Sequence, residues 1–529
     1  MTRLMSQDMH AAAPAPTAPP VAEPSQKSYQ QILKSSALIG GSTAFNMVFS
    51  IVRTKAMALL LGPTGVGLLG IYTSIADLVR NLAGLGINSS GVRQIAEAVG
   101  SGDTERIACT VTTLRRVALY SGSVGALLLV LLCKPVSWLT FRDYEHAGAI
   151  ALLALVAFFL DISEAQKALV QGVRRIADLA RMNILGALYG TVFSIAIVYF
   201  WREKGVVPSL ICVAAMSIVT SWWYARKVRV EAIRVTWAKA FAEASELVKL
   251  GVVFMASGLA TVGAAYVVRL LVLRDLGLKE AGFYQAAWGL AGICISFILQ
   301  AMGADFYPRL TAIVSRKEEC NRLVNEQVEV GFLMAGPAIL GALSLAPLAI
   351  MLFYSEKFGG AVEILRWLCL GMFLRVLTWP MGFIILAKGE RRIFFWSEVL
   401  TSAGYVGLVW GGIKLFGLAG TGMAFFALNV LNAGVVYYIV GRLTGFSWSG
   451  QNRKLALVFI PLLGIVFGSW YLLPRVAAAV LGTALTLPAG YFSMRTLCRW
   501  IPLDRLPKAT RKIISLLRLA PEQTISERN

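Results

Sequence analysis

Apolar stretches of about 20 residues recur along the chain, separated by short polar segments rich in Lys and Arg. An α-helix needs about 20 apolar residues to cross a bilayer whose hydrocarbon core is about 30 Å thick. The pattern therefore predicts an all-α polytopic membrane protein with about 14 spanning helices. The predicted spans are 36–61, 64–87, 117–140, 147–171, 182–201, 206–224, 247–273, 280–304, 328–354, 358–387, 393–416, 417–441, 454–473 and 476–496.

The first apolar stretch, residues 36–67, carries two basic residues near its middle, Arg53 and Lys55. Arg53 continues a row of polar residues spaced four, four and three apart, which lies on one helix face. The other members of that row are Ser42, Asn46 and Ser50. Lys55 points to a different face and is expected to extend along apolar surface toward the membrane interface. Arg53 is expected to line a polar cavity; the alternative is that it too reaches for the interface.

The seventh predicted span repeats this arrangement with Ser257, Thr261, Ala265 and Arg269. Arg269 is therefore a second candidate for a cation that faces a cavity. Arg375, deep in the tenth span, has no carboxylate at helical spacing and is a third candidate.

Three short motifs recur in order at nearly one offset, which indicates an internal repeat. Residues 62–67, 135–141 and 172–176 correspond to 277–282, 347–353 and 389–393, at offsets of 215, 212 and 217. Each repeat holds six spans, and an even number places the two halves parallel around an axis along the membrane normal. The sequence thus predicts two six-helix lobes around a central cleft, plus two extra C-terminal helices.

The basic segments alternate with the spans, and most of the 50 Lys and Arg residues fall on one side. The positive-inside rule then places both termini in the cytoplasm. The predicted divisions are a disordered tail (1–33), an N-lobe (34–224), an amphipathic linker (225–246), a C-lobe (247–442), the final helix pair (453–496) and a basic tail (497–529).

Composition narrows the function classes. Only 15% of the residues are charged, and the net charge of +21 is explained by the loops between spans, so nucleic acid is not an expected partner. The two His and seven singly placed Cys predict neither a metal site nor a disulfide framework, and no organic cofactor is expected. The predicted outer loops are short and lack a paired carboxylate with a base, which disfavours an enzyme.

Four carboxylates inside predicted spans are candidates for binding a coupling proton or Na⁺. They are Asp77, Asp161, Glu164 and Glu398. Asp77 stands three residues before Arg80, so the two can also neutralise each other. Spacing alone does not choose among the four.

The chain resembles the Wzx-type oligosaccharide-lipid flippases of the polysaccharide transport family, within the multidrug/oligosaccharidyl-lipid/polysaccharide exporter superfamily. The resemblance rests on VRTKAMALLLGPTGVGLLGIY, KALVQGVRRIADLARMNI, FYPRLT and LAKGERRIFFWSEVL, in that order. It implies two lobes in a V around a cationic lumen. It also implies proton- or sodium-driven export of undecaprenyl-pyrophosphate-linked O-antigen, enterobacterial-type or exopolysaccharide units across the bacterial inner membrane.

A polysaccharide polymerase and chain-length complex is the candidate protein partner that the resemblance suggests. Members of the family often have twelve spans, so the final helix pair is a departure. Two alternatives remain at this stage: a multidrug-type exporter of the same superfamily, and a membrane glycan polymerase or ligase. The exporter is disfavoured because its substrates are mostly cations, which call for carboxylates where this chain has arginines.

Overall fold

The computed structural model describes residues 26–84, 86–101, 103–228 and 237–500, in which sixteen α-helices and no strand are found. The expected all-α fold class is confirmed. The helices are α1 Gln26–Ala83, α2 Ile87–Ser101, α3 Thr104–Leu131, α4 Cys133–Phe141, α5 Ala147–Gly172, α6 Ile176–Trp201, α7 Val206–Ala225, α8 Trp237–Asp275, α9 Leu278–Ile313, α10 Lys317–Ser344, α11 Ala346–Phe353, α12 Ala361–Ala387, α13 Arg391–Phe416, α14 Ala419–Thr444, α15 Gly450–Leu472 and α16 Arg475–Trp500.

Eleven helical stretches of the described residues are long and apolar enough to cross a membrane. Two of them, Gly41–Ala83 and Ile176–Ala225, have 43 and 50 residues. At 1.5 Å per residue each is long enough for two crossings of a core about 30 Å thick. The number of fourteen spans stays a prediction.

The first two predicted spans form the single long helix α1, which breaks at Gly62. Gly62 has φ 65° and ψ −172° and is followed by Pro63. Glycine tolerates this left-handed backbone, and proline is well suited to begin the next helical segment. The two residues therefore redirect the chain between the two halves of α1.

Helix packing in the second half repeats that of the first half. In the first half α1 packs on α6, α3 on α5, and α7 on both α5 and α6. In the second half α8 packs on α13, α10 on α12, and α14 on both α12 and α13. This supports the internal repeat, and we call α1–α7 the N-lobe and α8–α14 the C-lobe.

The two glycine motifs of the repeat pack directly against each other where the lobes meet. A Cβ atom at Gly282 would overlap the carbonyl oxygen of Pro63, and one at Gly67 would overlap that of Leu278. Gly277, like Gly62, has a positive φ. Glycine is required here because two backbones approach too closely for side chains, and we call this contact the glycine seam.

Two basic residues bond across the lobes near the glycine seam. Lys55 Nζ donates to the Met351 carbonyl at 2.8 Å, and Arg274 donates to the Leu139 carbonyl. Leu139 and Met351 correspond at the repeat offset of 212. The extension of Lys55 toward the membrane interface stays a prediction, and the structure adds that its ammonium group joins the lobes.

Two predicted segment boundaries also differ from the structure. The chain is helical from Gln26, inside the predicted tail of residues 1–33. Helix α8 runs without interruption from Trp237 into the seventh predicted span, so the second half of the predicted linker 225–246 belongs to that helix. The rest of the tail and residues 229–236 lie outside the described residues. The final pair, α15 and α16, packs on α10.

Candidate functional site

The N-lobe encloses a polar cavity of about 200 Å³ between α1, α5, α6 and α7. Its lining has three side-chain amide or ammonium groups, three hydroxyl groups and no carboxylate. The lining residues are Asn46, Lys167, Met182, Asn183, Gly186, Ala187, Ser217, Thr220 and Ser221. We call it the N-lobe cavity.

Arg53 lies one helical turn above the N-lobe cavity. A Cβ atom at Gly190 would stand 3.7 Å from Arg53 Nη1 and 3.5 Å from Val213. Gly190 follows Gly186 by one turn on α6, and Val213 precedes Ser217 by one turn on α7. The Arg53 side chain is exposed, and it pairs with no acidic side chain in the described part of the chain. It therefore offers an uncompensated guanidinium group beside a cavity rich in hydrogen-bonding groups.

The remaining polar residues of the first span follow the same helix face. Ser42 is buried and Ser50 is half-buried. Asn46 reaches the cavity, and its Oδ1 is buried with no hydrogen-bond partner among the described residues. A buried amide oxygen without a partner is costly, so the cavity has unused hydrogen-bonding capacity.

A second N-lobe cavity, of about 210 Å³, has an acidic character. Its charged lining residues are Arg80, Asp161 and Glu164, and we call it the acidic cavity. Asp161 is 7% exposed, and its Oδ2 has no hydrogen-bond partner in the described ranges. Glu164 accepts from Lys167 Nζ at 3.1 Å, so this ion pair joins the two cavities.

Arg269 sits near the contact between the lobes. Its Nε donates to Gln285 Oε1 and its Nη1 to the Ala265 carbonyl, both at 3.0 Å. The Gln285 side chain in turn fills the space beside Gly70 of the N-lobe. Asp77 interacts electrostatically with Arg80 and Arg269, and its Oδ1 is 3.8 Å from Arg80 Nη2.

The C-lobe has a larger cavity, of about 440 Å³, lined by α8, α9, α12, α13 and α14. It holds Arg375 and Glu398, which interact electrostatically without a direct ion pair. Thr261 Oγ1 donates to Glu398 Oε1 at 2.7 Å, whereas Ser257 accepts through its backbone carbonyl from Thr261 at 3.4 Å. We call this space the C-lobe cavity.

Aromatic rings form one wall of the C-lobe cavity. Trp288 stacks on Tyr405 with ring centroids 6.4 Å apart and meets Phe425 edge-on at 5.3 Å. Tyr405 also exchanges a hydrogen bond with Tyr284 at 3.1 Å. The lining also includes the amide groups of Asn429 and Asn432, which lie on the same helix as Phe425.

The N-lobe and C-lobe cavities occupy equivalent places in the repeat. Thr261 corresponds to Asn46 at the offset of 215, and each lines the cavity of its own lobe. The helices α1, α5, α6 and α7 correspond to α8, α12, α13 and α14 in the packing order. The charges differ, because a carboxylate lines the C-lobe cavity and none lines the N-lobe cavity among the described residues.

The structure brings some predicted site residues together and keeps others apart. Arg375, Glu398 and Thr261 share a cavity, although they come from three predicted spans. Arg53 and Arg269, the candidate cations of the first and seventh predicted spans, contact different elements: α6 for Arg53 and α9 for Arg269. The spacing from the arginine to the glycine motif that follows it is one residue shorter for Arg269 than for Arg53. Arg269 is therefore rotated by about 100° around the helix axis relative to Arg53.

Sequence reasoning missed several lining residues. Lys167, Asn183, Tyr405, Asn429 and Asn432 were not among the candidates. Asn429 and Asn432 are three residues apart in an apolar helix, so the spacing argument applied to α1 would have found them. Lys167 gave no such signal, because its spacing from Glu164 indicated only a local ion pair.

The profile of the family described as "polysaccharide biosynthesis protein" matches residues 56–363, more than half of the chain. The chain belongs to this family. This chain is 22% identical over 371 residues to the lipid III flippase of Escherichia coli (strain K12). The match covers 70% of this chain and 88% of that protein. It is 23% identical over 420 residues to a protein of Shigella flexneri described as a putative O-antigen transporter. That match covers 78% of this chain and 98% of the relative.

Solved structures show the same fold. An inward-facing multidrug resistance transporter of the MATE family superposes with a TM-score of 0.65 at 16% identity, covering 78% of this chain and 96% of that one. The lipid II flippase MurJ, in an inward closed conformation, superposes with a TM-score of 0.62 at 14% identity, covering 88% and 99%. The resemblance to Wzx-type flippases is thus confirmed, as is the expectation of a multi-span transporter rather than an enzyme.

Proposed function

We propose that this protein is a flippase that carries an undecaprenyl-pyrophosphate-linked oligosaccharide across the bacterial inner membrane, with both termini in the cytoplasm. The lobes would alternate in access, and a proton or sodium gradient would drive the cycle. The proposal is supported by family membership and by relatives named as flippases and O-antigen transporters. In this proposal the glycan is an O-antigen, enterobacterial-type or exopolysaccharide repeat unit.

The observation that carries the proposal is the guanidinium group of Arg53 above the N-lobe cavity, which pairs with no acidic side chain among the described residues. A cation within a membrane-spanning segment is costly unless it has a partner, and such residues mark substrate pathways. A guanidinium group binds phosphate in a bidentate manner, and the bond strengthens where water is excluded. A pyrophosphate group would therefore offset the cost of holding Arg53 there.

The C-lobe cavity supports the ion-coupling part of the proposal. Glu398 accepts a hydrogen bond from Thr261 and faces Arg375 across the same space. A carboxylate in this position can take up a cation or proton in one state and interact with Arg375 in the other. Asp161 in the acidic cavity is a second candidate, because one carboxylate oxygen is buried with no hydrogen-bond partner among the residues that the structure describes.

A multidrug-type exporter is the second candidate function, and the MATE likeness shows only a shared fold. Such exporters act mostly on cations. The N-lobe cavity opposes this assignment, because its described lining carries Lys167, lies below Arg53 and includes no acidic side chain.

The test is transport of a fluorescent undecaprenyl-pyrophosphate-linked sugar in liposomes containing the purified protein. We expect Arg53→Ala to reduce the flipping rate by about 10- to 100-fold, since a charge-assisted hydrogen bond contributes about 1.5–3 kcal/mol. Arg53→Lys should restore part of the rate, because an ammonium group supplies the charge without the bidentate geometry.

Arg495→Ala is the matched control, since this exposed arginine lies on α16, outside both lobes. It should flip at the wild-type rate. Wild-type flipping by Arg53→Ala would refute the assigned role. Efflux of a cationic dye, without flipping by the wild-type protein, would favour the exporter.

A further inference from the structure

The C-lobe cavity combines aromatic rings with many hydrogen-bonding side chains. Its lining includes the indole rings of Trp288 and Trp379 and the amides of Asn429 and Asn432. It also includes six hydroxyl groups, those of Thr261, Thr378, Ser397, Thr401, Ser402 and Tyr405. We propose that this cavity binds a sugar ring of the lipid-linked substrate. This inference rests on the proposed function and assigns a site to the glycan, whereas Arg53 is assigned to the pyrophosphate.

The aromatic part of the lining suits the apolar face of a sugar ring. A pyranose ring presents C–H bonds on its face, and these are attracted to the negative face of an aromatic ring. Trp288 and Trp379 are both half-buried, so each leaves part of its ring accessible. Trp288 packs against Tyr405 and Phe425. Trp379 meets Phe383 edge-on, with ring centroids 4.4 Å apart. The rings are therefore held in place before a ligand arrives, which lowers the entropic cost of binding.

The polar part of the lining suits the hydroxyl groups of a sugar. An amide side chain both donates and accepts hydrogen bonds, and so does a hydroxyl group, so the two match in either role. Asn429 donates through Nδ2 to the Phe425 carbonyl at 2.8 Å, and its Oδ1 forms no hydrogen bond to the described residues. Asn432 is half-buried, and its side chain forms no hydrogen bond to them either. Both amides thus keep hydrogen-bonding capacity for a ligand.

The size of the C-lobe cavity and its difference from the N-lobe cavity support the same assignment. Ligand pockets of proteins have volumes of about 300–1,000 Å³, and this cavity, at about 440 Å³, falls in that range. The N-lobe cavity is smaller, at about 200 Å³, and its described lining includes no aromatic side chain. Equivalent places in the repeat therefore offer an aromatic surface in one lobe and a mainly polar one in the other.

The C-lobe cavity lies beside the contact between the lobes. Helix α8 contributes Thr261, Ala264 and Ala265 to its lining, and α8 also packs on α1. In the proposed substrate the pyrophosphate is bonded directly to the first sugar. A sugar in the C-lobe cavity and a pyrophosphate at Arg53 on α1 would therefore place one ligand across both lobes.

A cationic aromatic compound is the alternative ligand, since aromatic rings also attract cations. The lining opposes it, because the charge of Glu398 is offset by Arg375 in the same cavity. A neutral sugar needs no net charge from its site, whereas a cation does. Glu398 keeps the coupling role given above, because the contacts assigned to the sugar are those of the indole rings and the amides.

The experiment compares the binding of three lipids to the full-length protein in detergent by titration calorimetry. They are undecaprenyl pyrophosphate and the same lipid carrying either N-acetylglucosamine or galactose. We expect the wild type to bind at least one of the sugar-linked lipids about 10- to 100-fold more tightly than the bare lipid, because ring stacking and several hydrogen bonds are added. For each variant this preference is the ratio of two dissociation constants, so the bare lipid serves as the internal reference.

Two variants test the two parts of the lining. Asn432→Ala should reduce the preference by about two- to tenfold, because it removes hydrogen bonds to the sugar and breaks none within the described protein. Trp379→Leu should reduce it by about as much, since leucine is apolar but offers no aromatic face. The matched control is Trp410→Leu, which replaces an exposed tryptophan of α13 that does not line the cavity. It should show the wild-type preference.

Equal binding of the three lipids by the wild type would overturn the sugar site, and so would an unchanged preference in both Asn432→Ala and Trp379→Leu. Binding of ethidium that Trp379→Leu abolishes, without any preference for the sugar-linked lipids, would assign the cavity to cations instead. These results leave the proposed function intact if Arg53→Gln weakens binding of the bare lipid. The proposed function itself fails if the wild type binds none of the lipids, or if Arg53→Gln binds the bare lipid as tightly as the wild type does.

Discussion

The glycine seam predicts that a single methyl group at Gly282 shifts the equilibrium between lobe arrangements. In Gly282→Ala the added Cβ would collide with the backbone of Pro63, whose carbonyl oxygen, carbonyl carbon and Cα are its three nearest atoms. Backbone atoms cannot rotate away as a flexible side chain can. The substitution therefore forces the lobes apart at this end or prevents the seam from closing.

The size of the effect follows from the cost of overpacking, about 1–3 kcal/mol for an extra methyl group in a tightly packed site. Since 1.4 kcal/mol corresponds to a factor of ten, the closed seam should lose about 5- to 150-fold in population relative to an open one.

The assay measures the distance between two spin labels by pulsed electron paramagnetic resonance in a cysteine-free background. The labels are placed at Tyr144 on the N-lobe and Leu352 on the C-lobe, and both residues are exposed. We expect a longer distance population in Gly282→Ala, and slower flipping in liposomes. Gly292→Ala is the matched control, because it lies on the same helix with no atom within 4 Å of an added Cβ. Identical distance distributions for the two variants would refute the role of the seam.

Two further predictions follow from contacts in the structure. Glu398→Gln should remove the dependence of the flipping rate on the ion gradient. Thr261→Val should have a smaller effect than Glu398→Gln, because it removes only one hydrogen bond to the carboxylate. Flipping rates with and without an imposed gradient measure both effects. Lys55→Ala and Arg274→Ala should each increase the fraction of molecules with the longer spin-label distance between the lobes. The increase should be smaller than in Gly282→Ala. Unchanged distances in the double variant would show that these exposed bonds do not hold the lobes together.

Most of the fold could be predicted from the sequence, because the lengths of the hydrophobic stretches and the order of the motifs can be read along the chain without knowledge of the packing. The offset of 215 between residues 62–67 and 277–282 located two segments that the structure places in contact. Their contact itself was not predicted, since an offset shows equivalence and says nothing about proximity. The same limit applied to Lys55, whose partner Met351 is 296 residues away.

The candidate site was only partly predictable for a related reason. Helical phase grouped Asn46 with Arg53 on one face of α1; in the structure Asn46 lines the N-lobe cavity and Arg53 approaches Gly190, one turn from its lining. Phase within one helix cannot show which neighbouring helices complete the cavity. Lys167 and Asn183 come from α5 and α6, and only tertiary packing brings them to α1.

The difference in charge between the two equivalent cavities suggests how one fold divides two tasks. Each lobe has a cavity between helices that take the same places in the packing order, and Asn46 and Thr261 line them at the repeat offset of 215. The N-lobe cavity has Lys167 and lies below Arg53, while the C-lobe cavity pairs Thr261 with Glu398. A symmetric protein would bind the same charge in both lobes and gain no coupling between substrate and ion. In the proposed function, the carboxylate that stands beside Arg375 in the C-lobe cavity alone would let an anionic substrate and a cation act on the same lobe movement from equivalent places.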